Sequence, residues 1–171
     1  FKDILLERNW YTATSGGCCI AMLVIQAQDV TVRNELIDMT NGSSHRGIAI
    51  EAAGTASPTS NNVRLYNNTI FSNDGADFQA VQITVGTTNT TVINNLAYSP
   101  NVSGSFYRSG ASSPTIESNN TTTTNTSPNI AMVPPTKPSD FKIQAGSYAI
   151  GAGIVVPVWS DFFSALQTFV R

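Results

Sequence analysis

Apolar and polar residues alternate in short bursts along this chain, and most bursts end on a pair of small polar residues. The clearest runs Asn62-Val63-Arg64-Leu65-Tyr66-Asn67-Asn68-Thr69-Ile70. Val63 and Leu65 alternate with Arg64 and Tyr66, the period-2 pattern of a half-buried strand. The Asn pair then turns the chain, because Asn tolerates left-handed backbone angles and hydrogen-bonds its own neighbours. Ile70 faces inward again beyond the corner. The same template fits the stretches 29–37 and 89–97, and more loosely 3–11 and 113–121. Taking Leu6, Val32, Leu65, Val92 and Ile116 as equivalent gives periods of 26, 33, 27 and 24 residues. Repeats of that length mark a solenoid, in which each unit buries its apolar face only against its neighbours.

A second apolar strand recurs between these bursts, at Ile20-Ala21-Met22, Ile48-Ala49-Ile50 and Val81-Gln82-Ile83, with degraded copies at Ser105-Phe106-Tyr107 and Ile130-Ala131-Met132. Each unit reads as strand, Asn corner, short strand, variable loop, strand. Stacked units place equivalent residues about 4.8 Å apart, the inter-strand spacing. The expected fold is an all-β parallel β-helix of about five coils. Asn34, Asn67 and Asn94 are expected to stack at one corner, with Val32, Leu65 and Val92 stacked in the core.

The coils occupy residues 1–132, and 133–171 form a Pro-rich linker and a closing segment of the same domain. Val133-Pro134-Pro135-Thr136-Lys137-Pro138 cannot continue a ladder, because proline lacks the donor. The tail 160–170 has apolar residues at helical spacing behind Ser160, which predicts an amphipathic helix capping the last coil. A β end to the tail is the alternative. The first coil, beginning near Lys2, has no such cap. Its exposed edge predicts upstream coils, a partner or self-association there, through Phe1–Leu6 and Cys18–Leu23.

Composition narrows the setting. Ser, Thr and Asn make up 54 of the 171 residues while charged residues are only 12%, so the surface is polar without being charged. A net charge of −2 gives no electrostatic footprint for nucleic acid. No apolar run approaches the ~18 residues that span a bilayer. Seven Asn-x-Ser/Thr sequons occur, as expected by chance in such a chain. Cys18 and Cys19 are adjacent, so in a strand they point to opposite faces and suit neither a bridge nor a metal site.

The repeated Val-x-Leu-x-Asn-Asn-x-Ile phrase resembles the stacked Asn corners of the right-handed parallel β-helix, or pectate-lyase-like, superfamily. The closest pattern is its chondroitinase-B-like and parallel β-helix repeat group. The stretch from Asp140 to Asp161 resembles a carboxy-terminal closing motif of those proteins, with Tyr148 and Gly151 at two departures from it. The resemblance implies a right-handed helix and a carboxy-terminal portion of a longer coil stack. It further implies a secreted or cell-surface protein that meets carbohydrate. It carries over no catalytic motif, and the Asp pair typical of polygalacturonases is missing.

One constellation stands out among the ionisable residues. His45 and Arg46 end the second coil's loop, just before Ile48; Asp74 and Asp77 lie in the third coil's loop, just before Val81. Aligning Ile48 with Val81 sets Ser44 beside Asp77 and His45 beside Phe78. A base or cation near two carboxylates suits β-elimination on a polyuronate, with His45 and Arg46 as catalytic candidates and Asp74 and Asp77 as ligands for Ca²⁺, the one cofactor the pattern suggests. The bland counterpart is a solvated surface pair. Glu51, outward on the second coil, extends the cluster. A second outward column, Glu7, Arg33, Tyr66, Ile93 and Glu117, contains a cross-strand ion pair and sets Tyr66 beside Arg64 as a sugar-stacking platform. The Thr column that an ice-binding surface needs is broken by Arg64 and begins with Leu5. The expected function is therefore a carbohydrate-associated β-helix, or part of a polysaccharide lyase acting on an anionic polymer. The alternative is a non-enzymatic surface, adhesin or fibre module that binds glycans or self-associates through its coil ends.

Overall fold

The computed structural model describes residues 1–12, 20–40, 46–52, 59–72, 78–99, 105–107, 112–123, 135–147, 150–156, 159–160 and 166–167. Along the chain the strands are β1 (Lys2–Glu7), β2 (Trp10–Thr12), β3 (Ile20–Ile25), β4 (Gln28–Arg33), β5 (Leu36–Met39) and β6 (Arg46–Glu51). They continue as β7 (Asn61–Tyr66), β8 (Thr69–Ser72), β9 (Gln79–Ile83), β10 (Thr91–Ile93), β11 (Leu96–Tyr98) and β12 (Ser105–Tyr107). Last come β13 (Ile116–Ser118), β14 (Thr121–Thr123), a 3-10 turn at Pro138–Phe141, β15 (Trp159–Ser160) and β16 (Leu166–Gln167).

Three parallel sheets take up these strands in rotation. The first runs β1-β4-β7-β10-β13, the second β2-β5-β8-β11-β14 and the third β3-β6-β9-β12. The chain visits the sheets in turn and returns one strand further along each. The protein is all-β with stacked parallel sheets, an arrangement consistent with a parallel β-helix. One apolar interior serves all three sheets: Val32, Leu65 and Val92 from the first, Ile37, Ile70 and Ala97 from the second, Ile50 and Ile83 from the third. Each such fully buried Val, Leu or Ile side chain contributes about 1.5–3 kcal/mol by leaving water.

The register matches the sequence reading in the middle of the stack and corrects it at the end. Leu6, Val32, Leu65 and Val92 are successive partners, as expected. In the next strand Val92 pairs with Glu117, not Ile116, so that step is 25 residues (92 to 117). Ile116 is left exposed beside Thr91, and the outward column ends on Ser118. The corner decides this slip. Asn120 accepts hydrogen bonds from both the backbone N–H and the side-chain amide of Asn95 (3.0 and 2.9 Å), and these outweigh one apolar match. In the third sheet Ile48 pairs with Met22 and Val81, and Ser105 with Gln79, two residues from the alignment the apolar triplets suggest for β3 and β12. The shift keeps Met22, Ile48 and Val81 together in the core and sets Ile20 beside Arg46. The triplet Ile130-Ala131-Met132 and both cysteines lie outside the described residues.

Each corner divides its work between two residues. Arg8, Asn34, Asn67, Asn94 and Asn119 adopt the left-handed conformation, with φ of 51° to 60°. The residue after each turns its side chain inward and builds the ladder. Asn68 Nδ2 donates to Val32 O (3.1 Å) and to Asn95 Oδ1 (2.9 Å), while Asn95 Nδ2 donates to Leu65 O (3.0 Å) and Asn120 Oδ1. The ladder thus runs through the second Asn of each pair, where the sequence reading placed it on the first. A second left-handed column, Asp3, Asp29, Asn62 and Asn89, kinks the chain at the entrance of the first sheet.

Four outward ring or apolar residues, Phe71, Tyr98, Tyr66 and Ile93, are covered by the carboxy-terminal segment. Phe141 packs on Phe71 and Tyr98, outward residues of the second sheet. Val156 covers Tyr66 and Ile93 on the first. Asp140 anchors the turn before Phe141 by accepting from the N–H and Oγ1 of Thr136, both at 2.9 Å, and those bonds hold its carboxyl below the usual range. Asn94 clamps the strap's backbone, donating to Ile154 O (2.7 Å) and accepting from Ile154 N–H (3.0 Å). Beyond it, β15 and β16 pair antiparallel, so the described part of the tail forms short strands where apolar spacing predicted a helix.

Candidate functional site

The sequence candidates that the structure describes separate onto two faces. Arg46 and Glu51 lie on the third sheet, Arg64 and Tyr66 on the first. His45, Asp74 and Asp77 lie outside the described residues. Among the described residues, no group of three His, Cys, Asp or Glu side chains is close enough to hold a metal ion.

Arg46 opens β6 and stands between Ile20 and Gln79 in the ladder. The alignment of Ile48 with Val81, on which the loop constellation rests, is the observed register. Arg46 and Glu51 are five positions apart, which in a regular strand puts them on opposite faces. Gly47 breaks the alternation: a Cβ there would lie 2.6 Å from Ile70 Cγ2, so both Gly47 and Ile48 turn toward the interior. The slip returns Glu51 to the outer face, where its carboxylate sits 4.0 Å from the Arg46 guanidinium. They bracket Ala49, which is fully buried. The cation is charge-matched before any ligand arrives.

Arg64 differs. It projects from β7 between Thr31 and Thr91, its partners in register. Its Nη1 donates to Thr31 Oγ1 at 3.5 Å, and it has no acidic partner among the described residues. The arrangement sets a half-buried guanidinium between two buried threonines. Tyr66, two positions on, does not offer the expected stacking face. It is 2% exposed, beneath Val156 and beside Ile93. Burial pushes its phenol pKa up, against the Arg64 charge and a hydrogen bond with Thr91, which lower it.

The expected Glu7–Arg33 pair forms, at 2.9 Å, and Arg8 adds a second contact to Glu7 at 3.3 Å. Arg33 is only 2% exposed, so this is a sheltered ion pair on the outside of the first sheet. Sequence reasoning passed over Glu35. It is fully buried in the inner corner column, where the later corners carry Asn68, Asn95 and Asn120. An acid standing where repeats carry Asn was the signal for it. No protein-family model matches the chain, and comparison with curated proteins and with solved structures finds no match.

Proposed function

We propose that this chain is a right-handed parallel β-helix of about five coils, of the pectate-lyase-like kind, that binds an anionic polysaccharide outside the cell. The observation that carries the reading is Arg64. A guanidinium with no acidic partner among the described residues, flanked in register by Thr31 and Thr91, suits a carboxylate or sulfate on a hydroxyl-rich polymer. Parallel strands set neighbours in this column about 4.8 Å apart, so a polymer lying across the first sheet meets the guanidinium between two threonines, in a column bounded by Leu5 and Ile116.

Binding without catalysis is the form that Arg64 supports. The lyase reading places His45 and Arg46 as catalytic groups with Ca²⁺ on Asp74 and Asp77. The non-enzymatic module that self-associates through its coil ends is the remaining reading, and the exposed Leu23 and Ile25 on the terminal strand of the third sheet favour it.

Titration with alginate, pectate and sulfated glycosaminoglycans tests these readings. Salt-sensitive binding that falls about tenfold in Arg64→Ala, as expected for losing one charge-assisted contact, supports the binding face. Binding unchanged in that variant removes the face. Unsaturated products that disappear in Arg46→Ala would make the chain a lyase.

A further inference from the structure

The inner corner column is a chain of amides with one acid in it. At Asn68, Asn95 and Asn120 the side chain both accepts and donates. Asn68 Oδ1 takes the Glu35 N–H (3.0 Å), Asn95 Oδ1 the Asn68 N–H (3.0 Å) and Asn120 Oδ1 the Asn95 N–H (3.0 Å). Their Nδ2 groups reach back to Val32 O, Leu65 O and Val92 O, three carbonyls in one register column. The next carbonyl in that column belongs to Leu6, and the side chain due to reach it belongs to Glu35. As a carboxylate, Glu35 has no hydrogen to donate to Leu6 O or to Asn68 Oδ1. Its two oxygens only accept, from the backbone N–H and the Nδ2 of Asn9, both at 3.0 Å.

We propose that Glu35 is a proton-operated joint in this ladder: the neutral acid supplies the donor that each amide of the column gives, to Leu6 O or to Asn68 Oδ1, and the carboxylate keeps only the bonds it accepts from Asn9. The neutral acid keeps a lone pair on each oxygen for Asn9 and adds one O–H, which restores a donor of the kind the amides supply.

The charges around the joint point the same way. Glu7, at the end of β1, is the acid whose charge reaches it and repels a second negative charge. Tyr11, on β2, is neutral and feels the Glu35 charge. Arg33, at the end of β4, and Arg8, at the preceding corner, pair with Glu7. Asp38, on β5, accepts from Thr40. On the far side the ladder meets the neutral amide of Asn68. Burial raises the Glu35 pKa above its ordinary 4.5 and Glu7 raises it further, against the two bonds from Asn9, which lower it.

The sign follows from linkage. A carboxyl whose folded pKa is raised stabilises the fold in full below about its unfolded value, and that contribution is lost as pH rises through the folded value. The test is urea unfolding of the wild-type chain and of Glu35→Gln, an amide of the same length, from about pH 4 to about pH 8. The wild-type midpoint should fall relative to the variant as pH rises, the folded-to-unfolded ratio changing by up to about tenfold per pH unit within the window. The variant should be the more stable of the two at the alkaline end. Parallel curves would overturn the proposal. Should Glu35→Gln fail to fold, carbon-detected NMR titration of the Glu35 carboxyl in the wild type decides. Titration above the ordinary range, with amide shifts at Asn9 and Asn68 following it, supports the joint; titration at or below that range overturns it.

Discussion

The two ends of the inner corner column do the same job with different chemistry. From Asn68 to Asn120 the column is neutral, every amide both donating and accepting. From Asn9 to Glu35 it ends in a carboxylate, bordered by the Glu7, Arg8 and Arg33 charges. The backbone hardly registers the change: Arg8 takes φ of 60° where Asn94 takes 58°. Geometry is therefore set by the left-handed residue and the apolar column beside it. The inner residue sets how strongly, and at what pH, neighbouring coils are joined.

The harshest way to break this comparison is to remove what both ends share. Leu65 lies at the middle of the core column, and Leu65→Ala should cost about 2–5 kcal/mol because the rigid layers around it cannot collapse into the cavity. Urea unfolding would show a loss that does not change with pH. A more selective step carries the acid to the neutral end. Asn95→Asp is isosteric but removes the donor to Leu65 O, Ile93 O and Asn120 Oδ1. It should cost about 2–3 kcal/mol at neutral pH and less in acid, where the protonated carboxyl regains one donor. An equal cost at both pH values would mean that donors in this column contribute little. The smallest effect lies outside the column. Asn94→Gly keeps the left-handed corner but releases Ile154 at both hydrogen bonds, with an expected loss of about 1–2 kcal/mol. Limited proteolysis should then cut at 150–156 before any coil opens.

Strands, core columns and corner positions were legible in the sequence because period-2 alternation and paired Asn residues are local signals. The division of labour inside each Asn pair was not, since two identical neighbours give no clue to which one turns inward. Ile116 misled the register of the last strand because an apolar residue was weighed above the corner that fixes it. Tyr66 reads as an outward ring from its own strand, and its covering residue, Val156, arrives from a distant part of the chain. Apolar spacing in the tail satisfied a helix template, yet β15 and β16 pair as strands. At the candidate faces, Arg64 and its Thr neighbours followed directly from register. The meeting of Arg46 with Glu51 did not, because it depends on two consecutive inward residues, Gly47 and Ile48, a break in alternation repeated at Ala21-Met22 and Ala80-Val81.

The clamp between Asn94 and the strap also bears on the order of assembly. Partners within the corner ladder lie 25 to 36 residues apart, so each coil docks on one just completed. Asn94 and Ile154 are 60 residues apart, and they can meet only when the first sheet already holds Tyr66 and Ile93 side by side. Closing the longer loop costs more entropy, about 0.6 kcal/mol for each doubling in length, and is repaid only by a surface that several coils build together. The strap is therefore expected to arrive late in folding and to leave early in unfolding, so that its release reads the state of the stack beneath it.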